Sequence, residues 1–242
     1  MTDQIFSVLK PKIVLGVAAH PDDLDFGASG TMANFAKNGA QVYYLILTDG
    51  SQGTEDKNIT PQELSKIRHK EQEEALKILG GQSVTFLDYP DGGLEVTLGL
   101  KKEIVREIRR IKPDVVVTMD PSMLYSAQRG FINHPDHRAA GQATLDAVFP
   151  LARDHLAFPE LFKAGYLPHK TKTVLLTNFE KSNYYVDTTD TFELKVQALK
   201  AHKSQIKDID EVRAWTKLMA QTIGSQAGYN LAEGFIRIDL RN

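Results

Sequence analysis

The run Ile13-Val14-Leu15-Gly16-Val17-Ala18-Ala19 is apolar without interruption and ends directly on His20-Pro21-Asp22-Asp23. An unbroken apolar run bounded by turn-forming residues marks a strand covered on both faces, as at the centre of a parallel sheet. Such a strand needs helices above and below it, so the chain is expected to be α/β. The polar tetrapeptide then falls at the strand's carboxyl end.

The residues that follow sustain this alternation. Residues 24–38 space Phe26, Met32, Phe35 and Ala36 as a helix does, Gly39 suits its end, and 42–47 again read as a strand. Thr48-Asp49-Gly50-Ser51-Gln52-Gly53 is turn chemistry, and Pro61 behind Thr60 opens a helix that Gly80-Gly81 stops. Further strands are expected at 84–87, 115–118 and 173–177, with helices at 98–110, 135–148, 192–206 and 211–223. The pattern predicts a single domain over 1–242 with a Rossmann-like, doubly wound, mostly parallel sheet and helices on both faces. Residues 149–173, holding Pro150, Pro159, Gly165 and Pro168, read as a long surface excursion expected to line or cover a pocket.

Composition narrows the functions open to such a fold. The 242 residues are 42% apolar with a formal charge of −2, and no basic stripe offers itself to a nucleic-acid backbone. There is no cysteine, so any metal must be held by His, Asp, Glu or water. No apolar stretch reaches the length of a membrane span, and residues 1–12 lack the features of a secretory leader, which points to the cytoplasm.

A second motif, His134-Pro135-Asp136-His137, stands where a helix is expected to begin. Together the two motifs offer the three nitrogen or oxygen ligands of a catalytic zinc site, which leaves one position for water. His20, Asp23 and His137 can supply that set, although the residues alone leave Asp22 and Asp23 interchangeable. The first strand of a doubly wound sheet delivers its carboxyl end to the crevice where ligands bind. Pro135 in the first helical turn puts His134 and His137 in the positive field of a helix N-terminus, which keeps imidazole neutral, and Asp136 is placed to pair with His134.

Plainer readings exist for each residue taken singly. An Asp at a βα turn commonly caps a helix, and a lone His is commonly a hydrogen-bonded core or surface residue. His-Pro-Asp also occurs in co-chaperone J-domains, but there it joins helices of a small helical domain rather than following a buried strand. A dinucleotide fingerprint is absent, since Gly16, Gly27 and Gly30 do not form G-x-G-x-x-G. The joint occurrence of the two motifs favours the metal.

With Gly27 and Gly30-Thr31, Thr48-Asp49-Gly50, Arg68 through Glu71, Pro90-Asp91-Gly92, Pro113-Asp114-Val115-Val116 and Ala201-His202-Lys203-Ser204-Gln205, the motifs resemble the PIG-L/LmbE-like N-deacetylase family. That family includes N-acetylglucosaminyl-phosphatidylinositol de-N-acetylase and deacetylases of the mycothiol and bacillithiol pathways. The resemblance implies a zinc-dependent deacetylase acting on an N-acetylated amino sugar or its glycoside. His20, Asp23 and His137 would be the ligands, Asp22 the general base, His134 a stabiliser of the oxyanion and Asp136 its support. Arg68 and Asp91 match positions near the substrate, although Arg68 could equally pair with Glu71 on a helix face and Asp91 could be a turn residue. His202 is expected to pack rather than to catalyse. Two His and a carboxylate suit Fe(II) as well as zinc. A non-sugar amide, or a non-catalytic metal-binding module, stands as the alternative, and self-association stays open. Some sugar deacetylases carry a Tyr two residues before the second motif, where this chain has Ile132. The segment 123–133 is therefore expected to shape the pocket.

Overall fold

The computed structural model describes residues 8–127, 130–178 and 180–241. The leader reading of residues 1–7 and the positions Gln128 and Arg129 within the pocket segment lie outside the described residues. β1 (Ile13–Ala18) pairs in parallel with β2 (Gln41–Thr48) on one side and β4 (Val115–Met119) on the other. β3 (Ser83–Tyr89) extends the sheet beyond β2, and β7 (Thr173–Thr177) extends it beyond β4. The chain therefore winds outward from β1 to β3, crosses back and continues on the other side. The strand order reverses between β1 and β4, which opens the ligand-binding crevice of a doubly wound sheet at their carboxyl ends.

Two-residue alternation along β1 sorts its side chains onto two cores. Leu15 and Val17 pack with Leu100, Ile104 and Ile108 of α4 (Leu98–Ile111) and Ala139, Ala140 and Ala143 of α5 (Pro135–Asp146). Val14 and Ala18 pack on the other face with Leu24 of α1 (Asp23–Gly27), Met32 and Phe35 of α2 (Ser29–Lys37), Ala75 and Leu76 of α3 (Pro61–Ile78), and Ala198 of α7 (Phe192–Ala201). The expected layers are present. α3 starts as its sequence requires: the Thr60 hydroxyl accepts from Glu63 N–H, and Glu63 reaches back to Thr60 N–H at 2.9 Å.

The structure departs from expectation chiefly, though not solely, at the chain's carboxyl half. β9 (Ala232–Asp239) runs antiparallel to β7, and β8 (Tyr184–Asp187) closes the edge, neither with a clear apolar pattern. Polar residues are buried in β9 because they are paired. Glu233 accepts from Gly30 N–H at 3.0 Å and Thr31 N–H at 2.7 Å at the start of α2, and Lys195 meets it at 2.7 Å. The helix expected over 192–206 ends at Ala201, and the one expected over 24–38 breaks at Ala28, whose φ of −149° is not helical. A short hairpin, β5 (Tyr125–Ser126) with β6 (Phe131–Ile132), precedes the second motif.

The excursion after Phe149 does not cover the site. It carries α6 (Pro159–Lys163), packs Leu161 and Phe158 into the α4/α5 core, and lies at the amino end of β4, where His169 Nε2 is 2.8 Å from the Pro113 carbonyl. Buried Arg109 holds it by donating to the carbonyls of Leu151, Asp154 and Ala157 at 2.7–2.9 Å. Those loop carbonyls need donors, and the guanidinium supplies them, so the proline-rich segment is a structural cover at the end of the sheet away from His20.

α5 sits close against β4 because Gly141 has no side chain. A Cβ there would run into the Met119 carbonyl oxygen and lie 3.0 Å from Pro121 Cδ, and neither partner is a flexible side-chain tip. Gly141→Ala should push α5, with His134 and His137, away from the crevice. Urea unfolding should show a loss of about 1–3 kcal/mol at unchanged m-value. A midpoint equal to that of the parent protein would refute this account of the α5–β4 contact.

Candidate metal centre

The chain leaves β1 through Ala19 and enters a turn in which Asp22 adopts φ 94°, a left-handed conformation that costs a non-glycine residue energy. The turn is fixed from behind. Asp22 N–H donates to Gln72 Oε1 at 2.9 Å, and Gln72 Nε2 donates to Asp25 Oδ2 at 2.7 Å. The fully buried His202 lies with Nε2 3.0 Å from the same Asp25 oxygen. His202 is thus a packing residue, as expected, whose partner anchors the turn. The Asp22 side chain makes no helix-capping bond, so the plainer reading of that residue fails here.

Asp23 turns back and accepts from His20 N–H at 2.7 Å, while its other oxygen lies 3.0 Å from His137 Nε2. His20 Nδ1 stands 3.5 Å from Asp23. One ring nitrogen from each of His20, His134 and His137 falls within 4.8 Å of the others, and the ring centroids of His20 and His137 are 5.3 Å apart. Segments more than a hundred positions apart therefore converge, with Asp23 bonded to both outer members.

Behind His20 the charges are acidic. Its Nε2 lies 3.1 Å from Asp91 Oδ1 and 3.1 Å from Asp136 Oδ2. Burial works against protonation of this ring, but hydrogen bonds to Asp136, Asp23 and Asp91 prevail and push its pKa up to about 12. Asp22 is held above the usual carboxylate range by burial and by the charge of Asp23. Asp23 is held well below it because His137 and His20 outweigh its own burial. Carboxylates grouped in this way call for a compensating cation. Imidazole and carboxylate donors without sulfur suit zinc or iron(II), so the residues fit a divalent metal. His20, Asp91, His134 and Asp136 form a second close group, but Asp136 is already saturated. It accepts from Gly92 N–H at 2.8 Å and from Leu94 N–H at 3.1 Å.

That saturation corrects one expectation. The Asp136 carboxylate does not hold His134, because its position in the first turn of α5 directs it to the loop at Gly92 and onto His20. His134 is held instead by the Asp136 backbone, whose N–H donates to His134 Nδ1 at 3.2 Å. Burial, then the charges of His20 and His137, lower the His134 pKa. The neutral ring, accepting at Nδ1, carries its proton on Nε2. Asn133 Oδ1 lies 3.2 Å from His137 Nδ1, which leaves Nε2 toward Asp23.

Arg68 and Asp91 come together beside the site, 4% and 8% exposed, which leaves little of either for a substrate to touch. Arg68 donates to the carbonyls of Pro21 at 2.8 Å and of Gly50 and Gln52 at 3.1 Å, and lies 3.5 Å from Asp22 Oδ2. Asp91 accepts from Gln52 N–H at 3.0 Å. The Arg68–Glu71 surface pair does not form, since Glu71 accepts from Ser204 N–H and hydroxyl. Sequence reasoning misses the roles of Gln72 and Asn133, and Asp25 reads there as a candidate helix cap rather than as the partner of Gln72 and His202. The amide at 72 follows the helix period from Arg68 and was the one available signal.

On the far side of His137 a cleft of about 250 Å³ opens, with Met123, Phe131 and Asn133 of the expected segment in its wall. No helix among the described residues is long and apolar enough to cross a membrane.

These features define a doubly wound α/β protein with a His/Asp cluster, able to hold a metal, at its switch point. A family model described as GlcNAc-PI de-N-acetylase, PIG-L, matches residues 15–148, and the chain belongs to that family. Diacetylchitobiose deacetylase of Thermococcus kodakarensis is 36% identical over 225 residues, 92% of this chain and 82% of that protein. A probable N-acetyl-alpha-D-glucosaminyl L-malate deacetylase of Bacillus anthracis is 29% identical, over 79% of this chain and 80% of its own length. The solved structure of N,N'-diacetylchitobiose deacetylase from Pyrococcus horikoshii superposes with a TM-score of 0.87 at 31% identity, covering 95% of this chain and 84% of that one.

The Asp25–His202 pair yields a stability test. Burial opposes the His202 charge, but the hydrogen bond and charge of Asp25 prevail and raise its pKa above 6.5. The pair's contribution is therefore complete below about pH 6.5 and declines as pH rises through the raised value. Asp25→Ala should destabilise the fold by about 3–5 kcal/mol at pH 6, because a buried imidazolium loses its partner. The difference from the parent should shrink at alkaline pH, and a pH-independent difference in urea unfolding would contradict the pairing.

Proposed function

We propose that the protein is a metal-dependent N-deacetylase that hydrolyses the amide of an N-acetylated amino sugar or its glycoside. The observation that carries the proposal is the convergence of His20, Asp23 and His137 with Asp22 and His134 on one crevice, in a chain of the PIG-L family. His20, Asp23 and His137 are the proposed ligands. Bound there, zinc or iron(II) would supply a Lewis acid for the amide carbonyl and a water that ionises near neutral pH.

The chain's own groups then divide the proton work. Asp22, with a carboxyl raised by burial, accepts the proton from the attacking water as oxygen adds to the carbonyl carbon. His134 presents Nε2–H to the oxygen on which negative charge grows, and its neutral state spares the pocket a further positive charge. The proton held by Asp22 is then available to the leaving amine. Asp136 and Asp91 act through His20, whose Nε2 they hold so that Nδ1 faces the ligand set. The small exposed parts of Arg68 and Asp91 are the proposed contacts to sugar hydroxyls. The diacetylchitobiose deacetylases of similar sequence support a sugar amide over other amides.

Metal-loaded protein assayed for free amine on N-acetylglucosaminides should turn over, lose activity to a chelator and regain it with zinc or iron(II). Asp22→Asn should lower kcat by about 10²–10⁴-fold with the metal retained. His134→Ala should lower it by about 10²–10³-fold. A metal-binding module without catalysis would show no turnover and no effect of Asp22→Asn, and a preference for non-sugar amides would move the substrate assignment.

A further inference from the structure

The cleft beyond His137 is contiguous with the site, since Asp23 and His137 form part of its wall, yet its remaining chemistry is of another kind. Phe26, Met119, Met123, Phe131 and Trp215 supply its apolar side chains. Two of its polar residues are already committed. Asp120 accepts from Ser122 N–H at 2.8 Å and from Asn178 Nδ2 at 2.5 Å, and Asn133 is spent on the Met123 carbonyl and on His137. A hydroxyl-rich occupant would find few free partners there, whereas an apolar one would displace water from aromatic and thioether surface.

Two of the aromatic side chains are held in the open. Trp215 is 48% exposed and Phe131 43%, and Trp215 meets Phe26 edge to face at 6.4 Å. Half-exposed aromatic groups beside a reactive cluster mark a surface to be covered by a ligand. The acetyl methyl group is small against about 250 Å³ and leaves most of this space for something else. Trp215 is the only tryptophan in the chain, and it comes from α8 (Ile209–Ser225), outside residues 15–148 that match the family model.

Resting on the deacetylase reading above, we propose that this cleft receives an alkyl or aryl portion of the substrate, with Trp215 and Phe131 setting the preference for it. That portion is carried either on the sugar's anomeric oxygen or as an acyl chain longer than acetyl. The test keeps the two apart. One series varies the glycoside (methyl, butyl, octyl) on N-acetylglucosamine, and the other varies the acyl chain (acetyl, butanoyl, hexanoyl) on glucosamine.

In one of the series kcat/KM should rise at least about tenfold from the shortest to the longest member, mainly through KM. Trp215→Ala should flatten that rise, and Trp215→Phe should restore most of it. A flat profile in both series, or a rise that survives in Trp215→Ala, would overturn the proposal. Because Trp215 is the sole indole, its emission also reports occupancy without catalysis. Octyl N-acetylglucosaminide and N-hexanoylglucosamine titrated into metal-free protein should shift it saturably for at least one of the two. Should the loaded protein turn over nothing, the deacetylase reading fails while the emission titration still decides on the cleft. No shift with either probe overturns it.

Discussion

The carboxylates gathered at the end of β1 are the constraint to which much of the structure answers. Asp22, Asp23, Asp25, Asp91 and Asp136 meet in a region mostly removed from water, where unpaired negative charge is costly. Each is answered in a different way. Asp136 takes two backbone N–H groups and His20, Asp25 takes Gln72 and His202, and Asp91 takes Gln52 N–H and His20. Asp22 has the distant edge of Arg68, and Asp23 has the imidazoles. Asp22 is the least compensated member, and it stands beside Asp23 at the crevice, which is where a proton acceptor next to a cation would be wanted.

The same accounting separates chemistry from support. A carboxylate whose lone pairs are filled by backbone donors is a fixed dipole, able to orient an imidazole but poorly able to accept a proton. Asp136 is of this kind, and its influence on His134 runs through the backbone N–H that fixes the ring's tautomer. Arg68 is the cationic counterpart. Its donors bind the carbonyls of Pro21, Gly50 and Gln52, so it ties the β1 turn to the loop after β2 while it leans on Asp22. Charged groups are thus consumed in building the crevice.

How much of this was legible in the sequence follows from how local each signal is. The β1 run, the helices of the first half and the two His-Pro-Asp segments are patterns within a few residues, and they were readable. The convergence of those segments was inferable from the switch-point rule. What escaped depends on partners far along the chain. β9 reads as polar because Glu233 is buried only by virtue of the α2 N-terminus and Lys195. Gln72 is an ordinary helical glutamine until Asp22 and Asp25 lie beside it. The excursion after Phe149 looked like a lid because proline and glycine mark irregular backbone without saying at which end of the sheet it lies. Arg109 decides that, from a helix forty residues earlier.

The long-range ties also divide the labour along the chain. Residues 15–148, the part that matches the family model, contain all the proposed ligands and proton-handling groups. The remainder buttresses them: His202 holds Asp25, Ser204 holds Glu71, and β9 secures α2. A cluster built this way can keep its geometry while its surroundings diverge, because the buttressing contacts are buried and the cleft-facing ones are not. Trp215 projects from α8 into the cleft, while Thr216 beside it is buried. A change at the first position alters what the crevice admits, whereas a change at the second disturbs the packing of α8. The carboxyl-terminal helices are therefore where substrate preference can move without disturbing the charges around His20.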